Sequence, residues 1–153
     1  MSKLECAYDN KTRASQKACF TPDQANRALV LVRRIVSDIV TGYQRLIDLQ
    51  EILDSAQRND TRDRCESVRK DLIGMVEKLQ SCLDELDDLG VELRDWASGV
   101  VSFPSRFDGR DICLNWQHGE SAVAYWHGIE EDFGSRRPIS NLLMEQVASS
   151  AVR

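Results

Sequence analysis

Two apolar rows with three-four spacing, separated by one polar break, constrain this chain more than any other feature. The first row runs Leu29, Val32, Val36, Ile39, Tyr43, Leu46 and Leu53, interrupted by Gln50. Ala28, Ile35 and Leu49 lie beside it, and Val40 and Ile47 add a third row. Residues so spaced share one side of a 3.6-residue helix. The start is explicit in "FTPDQ": Thr21 suits the N-cap, Pro22 the first helical position, and Gln24 closes a capping box. Phe20, just before the cap, is placed to staple onto the first turn. The spacing predicts a helix over about 22–57. It fades in "SAQRNDTRD", and a second row follows: Val68, Leu72, Met75, Leu79, Cys82, Leu86 and Leu89. Asp60, Thr61 or Asp63 can cap this helix, with Asp63 and Glu66 as a box-like pair. Gly90 and Val91 suit a Schellman stop.

The first helix would be roughly 54 Å long at ~1.5 Å per residue. A compact domain of 153 residues has a radius of gyration of about 15 Å. The helices must therefore project as an antiparallel hairpin. Two helices cover one seam each, so the extra rows on the first need another surface. That surface is either the region after Gly90 or a second copy, and the expectation is a homodimer through the long helices.

After Gly90 the composition shifts, with seven of the ten aromatic residues between Trp96 and Phe133. Strand character appears at "GVVSF", "RDICLNW" and "AVAYWH", with turns at "PSRFDG" and "QHGES". The expected fold class is α+β: a long antiparallel helical hairpin, a small antiparallel β-meander and a short C-terminal helix. Residues 1–16 read as a loosely attached tail, 17–139 as a single domain and 140–153 as an extension.

The net charge is -5, and the arginines of "RNDTRDRCESVRK" alternate with acids, so no nucleic-acid partner is expected. No apolar run approaches a membrane span, and the first residues lack the apolar core of a signal peptide. The five cysteines are odd in number, and no two are spaced as CxxC. The expectation is a protein of the reducing cytoplasm.

Both histidines lie in "LNWQHGESAVAYWHGIEED". The spacing of Cys113, His118 and His127 fits no standard zinc pattern. A two-residue turn at His118-Gly119 pairs Leu114 with Val123, Ile112 with Tyr125 and Arg110 with His127. That register puts Cys113 on the face opposite His127, and His118 roughly 20 Å away at the tip. It calls for no metal, no cofactor and no Cys-His catalytic pair. It gathers Arg110, His127 and Arg136 instead, with Glu131 nearby. Arginine offers a planar fork to a carboxylate or phosphate, and histidine exchanges a proton near neutrality. The ligand-binding candidates are Arg110, Glu120, Trp126, His127 and Arg136. Arg110 can equally pair with an acid and pin the C-terminal segment, Glu120 can hold turn amides, and Trp126 can pack on the helices or a partner. No catalytic motif names a reaction.

The motifs "FTPDQANRALVLVRRIV", "GVELRD", Phe103-Pro104, Gly109-Arg110, Trp116, Gly119-Glu120, Trp126-His127 and Arg136-Arg137-Pro138 occur in an order that resembles the prokaryotic domain-of-unknown-function family 2203. The resemblance covers about 18–139. The chain departs from that family's pattern in having Ser102 before Phe-Pro, Asn115 before the tryptophan and Gly128 after Trp-His. The resemblance supports the architecture and the hairpin-base cluster and implies no activity. The leading functional expectation is an oligomeric protein-interaction or assembly module, with the aromatic β region as partner surface. The alternative is a small anionic-ligand-binding protein or enzyme centred on Arg110, His127 and Arg136.

Overall fold

The predicted hairpin forms. In the computed structural model, which describes residues 19–59 and 61–142, helix α1 runs Pro22–Arg58 and α2 runs Arg62–Leu89. The tail 1–16, most of the C-terminal extension and Asp60 lie outside the described residues. Thr21 Oγ1 accepts from the Gln24 N–H at 3.1 Å, and Gln24 Oε1 accepts from the Thr21 N–H at 3.0 Å, completing the capping box. Phe20 packs against the main core. Its ring meets Phe103 of the sheet edge-on, with centroids 5.3 Å apart. The α2 start differs from expectation: Thr61 is the N-cap but makes no side-chain cap bond. Its hydroxyl donates instead to Ala56 O of the preceding helix at 3.2 Å, beside the Thr61 N–H, which reaches the same carbonyl at 3.1 Å. Gly90, at φ 81°, ends α2, and the Val91 N–H reaches back to Leu86 O at 3.0 Å.

Five antiparallel strands follow in sequential order: β1 (Glu92–Asp95), β2 (Val100–Phe107), β3 (Arg110–Gln117), β4 (Tyr125–Gly128) and β5 (Arg137–Pro138). A 3-10 turn at Phe133–Ser135 precedes β5. A short C-terminal helix begins at Ser140, and its Leu142 is buried. The fold class is α+β. β1 and β5 were not anticipated as strands, and Pro104 to Phe107, expected in a turn, lie within β2. The turn itself is Asp108-Gly109, both at positive φ.

One face of the sheet packs on α1 and the end of α2. Val101, Phe103, Ile112, Leu114, Trp116 and Trp126 meet Leu29, Val32, Val36, Ile39 and Leu86 in one apolar core. Each large apolar side chain buried there stabilises the fold by about 1.5–3 kcal/mol. The sheet thus covers the extra apolar rows in the first part of α1. Beyond it the hairpin carries its own cluster, Leu49, Leu53, Ala56, Cys65 and Val68. Among the described residues, no helix is long and apolar enough to cross a membrane.

Candidate functional site

The β3–β4 register differs from the expected one, and the difference decides where chemistry can occur. Leu114 pairs with Trp126 rather than Val123, a shift of three residues, and Cys113 pairs with His127. An odd shift exchanges the faces of a strand. Cys113 and His127 therefore stand side by side on the same face, which corrects the reading that separated them. The physical cause is the connection. The Glu120 N–H closes a turn on Gln117 O at 2.9 Å, but the chain then detours to α1. There Asn26 Oδ1 accepts from the Val123 N–H at 2.8 Å, and Asn26 Nδ2 donates to Val123 O at 3.2 Å. Arg33 holds Ser121 O at 2.8 Å. Val123 is claimed by the helix, so β4 starts only at Tyr125.

The predicted cluster divides. Arg110 is exposed at the start of β3, opposite Phe107 and three residues along the strand from Cys113, on the other face from His127. Trp126 is in the core, with the Arg137 guanidinium 4.6 Å from its ring centroid. Arg136 and Glu120 meet each other: Nη1 donates to Oε1 at 3.0 Å and Nη2 lies 2.9 Å from Oε2. Arg136 also lies against the rings of Tyr125 and Phe133, 4.2 and 4.3 Å from their centroids. Glu120 Oε1 in addition accepts from the Gln117 N–H at 2.8 Å. This pair is a clamp that orients Phe133. Of the five candidates, His127 lines a cavity.

That cavity, about 250 Å³, lies on the sheet face turned away from the helices. Arg94, Val100, Asn115, His127, Ile129, Glu131, Asp132 and Phe133 line it. A neighbouring hollow of about 480 Å³ shares Arg94 and Ile129 and includes Cys19, Asp111 and Cys113. Arg94 stands at a bulge between Leu93 and Asp95 of the edge strand, so it borders both. Beneath it Ser102 and Asn115 face each other across β2 and β3, both essentially inaccessible to solvent. Arg94 Nε donates to Ser102 Oγ at 3.4 Å, and Ser102 Oγ donates to Asn115 Oδ1 at 3.0 Å. Asn115 Nδ2 is buried and has no hydrogen-bond partner among the described residues. Leaving such a donor unmade costs about 1–3 kcal/mol.

Around this row the remaining polar groups are engaged. His127 Nδ1 lies 2.6 Å from Gly128 O, so this nitrogen carries the hydrogen and the ring donates to the backbone. Glu131 accepts from the Gly128 N–H at 3.0 Å and pairs with Arg137, and these contacts hold its carboxyl below the ordinary range. Burial pushes the Cys113 thiol up, against the opposing pull of the Arg94 charge. A protonated thiol is a poor nucleophile. Among the described residues, no three His, Cys, Asp or Glu side chains are grouped to hold a metal.

Residues 18–139 match the family described as uncharacterized conserved protein DUF2203. The chain belongs to that family. Its matched span takes in both helices, all five strands and every residue lining the 250 Å³ cavity. Comparisons of this DUF2203 chain with curated proteins and with solved structures find no match.

Sequence reasoning missed Arg94, Ser102 and Asn115. A signal was present: "VVSF" and "CLNW" each carry one polar residue inside an apolar run. A strand buried on both faces reads as continuously apolar, so a polar residue within it marks a position with a partner or a purpose.

Proposed function

We propose that this protein binds a small polar ligand in the 250 Å³ cavity on the outer face of its sheet. The observation that carries the reading is at Asn115, a residue of the cavity wall whose buried Nδ2 has no hydrogen-bond partner among the described residues. Buried polar groups in native proteins are nearly always satisfied, so an exception at a cavity wall points to a missing acceptor. The site relocates the anionic-ligand reading from Arg110 to Arg94, keeps His127, and gives Arg136 and Glu120 a supporting role. The reading is one of binding: among the described residues of the wall, His127 Nδ1 is engaged with Gly128 O and Glu131 with Gly128 and Arg137. The buried free thiols of Cys65, Cys82 and Cys113 suit a reducing compartment, which supports a cytoplasmic location.

The test is a fragment screen read by melting temperature, repeated on Val100→Phe. Val100 is buried and lines the cavity, so the larger ring occupies it. Fragments that stabilise the wild type and not the variant support the reading. A screen with no stabilising fragment, or with hits unaffected by Val100→Phe, overturns it.

A second reading is self-association through the helices. Ile73 and Val76 are 60% and 53% exposed on the outer side of α2, and the space above the intervening Gly74 is open. Sedimentation equilibrium of the wild type and Ile73→Asp tests it. A dimer that the substitution dissociates supports self-association there, and a monomeric wild type removes it.

A further inference from the structure

We infer that α2 pairs antiparallel with the α2 of a second copy of this chain, an inference that rests on the self-association reading above. The helix surface leads to it. Ile73 and Val76, 60% and 53% exposed, belong to a longer stripe that runs from Arg62 to Asp87 in alternating steps of four and three residues. Residues so spaced share one face of a helix, and the alternation is the seam spacing of a two-helix coiled coil. The stripe is exposed along its length except at the half-buried Leu83. It is not the seam with α1, which uses Val68, Leu79 and Leu86 instead.

The stripe reads the same from either end, about a midpoint between Ile73 and Val76. A two-fold axis through that midpoint lays the stripe of one copy along the stripe of the other in the opposite direction. Ile73 of each copy then meets Val76 of the other at the centre. Arg69 meets Gln80, Glu66 lies beside Leu83, and Arg62 meets Asp87 at both ends. Charge selects this direction. A parallel pairing would set Arg62 on Arg62, Arg69 on Arg69 and Asp87 on Asp87, and like charges placed together are unfavourable. The asymmetry extends beyond the stripe. Residues 62–70 carry four basic and two acidic side chains, whereas residues 84–88 carry four acidic and no basic ones. Antiparallel helices also set the positive end of each macrodipole beside the negative end of the other. Such self-complementarity is what an isologous interface requires, and it names a second copy as the occupant.

The experiment is sedimentation equilibrium of the full chain at low ionic strength, where exposed charges count most. It compares the wild type, Ile73→Asp, Arg62→Asp, and Arg62→Asp combined with Asp87→Arg. Arg62 and Asp87 stand roughly 38 Å apart along α2 at ~1.5 Å per residue, too far to meet within one chain, so a rescue reports contact between copies. Both changes suit the helix macrodipole, an acid in the first turn and a base in the last, so the chain should keep its fold, which circular dichroism checks. The wild type should dimerise and Ile73→Asp should dissociate it. Arg62→Asp should weaken the dimer at least about threefold, and the double variant should return it to within about twofold of the wild type. A dimer that Ile73→Asp dissociates but that ignores Arg62→Asp, or that the double variant does not restore, overturns the antiparallel pairing and leaves self-association through this face standing. A wild type that stays monomeric at millimolar concentration, or a dimer untouched by Ile73→Asp, removes both.

Discussion

Cys113 and His127 stand directly across from one another on β3 and β4, yet they do not form an activated pair. The imidazole donates through Nδ1 to Gly128 O, and burial keeps the thiol protonated. Iodoacetamide at neutral pH should therefore alkylate the exposed Cys19 at least about tenfold faster than Cys113 in the native protein. Peptide mass spectrometry over a time course reads this directly. Equal rates would mean a thiolate at Cys113 and would restore the catalytic pair.

The Arg136–Glu120 clamp combines a forked ion pair with two ring faces. Lysine cannot reproduce either geometry. Arg136→Lys should cost about 1–2 kcal/mol in urea unfolding. A double-mutant cycle with Glu120→Gln should give a coupling of about 1 kcal/mol. A coupling near zero would mean that the stacking alone holds the segment.

Two glycines should respond in opposite directions. Gly99 has φ +70°, and a Cβ there would lie 2.8 Å from Val36, Val40 and His118 atoms. Gly99→Ala should destabilise by roughly 2–4 kcal/mol, from left-handed strain and overpacking together. Gly74, inside α2 with open space around it, should gain up to about 1 kcal/mol as alanine. Thermal unfolding of both variants checks the pair.

Glu131 makes acid stability predictable in sign. The Gly128 N–H and Arg137 hold its folded pKa below the ordinary 4.5. A depressed carboxyl contributes stability that is fully present above the unfolded value and is lost as pH falls through the folded one. Glu131→Gln should melt a few degrees below the wild type at neutral pH, and the gap should close as the solution is acidified below 4.5. A gap that persists in acid would show that the carboxylate charge is not its source.

The helical hairpin was legible because its signals are local. Thr21, Pro22 and Gln24 act within one turn, and the apolar rows repeat every three or four residues. The strands after Gly90 were legible in kind but not in register. Pairing depends on where a connection lets the strand resume, and that was set by Asn26, 97 residues before Val123. β1 escaped notice because its four residues are mostly exposed and carry no alternation. The site was half visible. His127 stood out by residue type, whereas Arg94, Ser102 and Asn115 acquire meaning only when β1, β2 and β3 lie side by side. Ser102 and Asn115, two of the departures from the pattern the sequence resembles, turn out to be cross-strand partners.

Met75 borders both the sheet-backed core and the smaller cluster toward the hairpin tip. A flexible thioether joins them where a continuous layer of branched side chains would have made a single block. The far turns of α1 and α2 then form a separate cooperative unit, able to open while the sheet and the cavity stay closed. Amide hydrogen exchange should record that boundary as a step in protection along both helices, falling near Gly42 and Met75, where a Cβ on Gly42 would lie 3.2 Å from the Met75 sulfur.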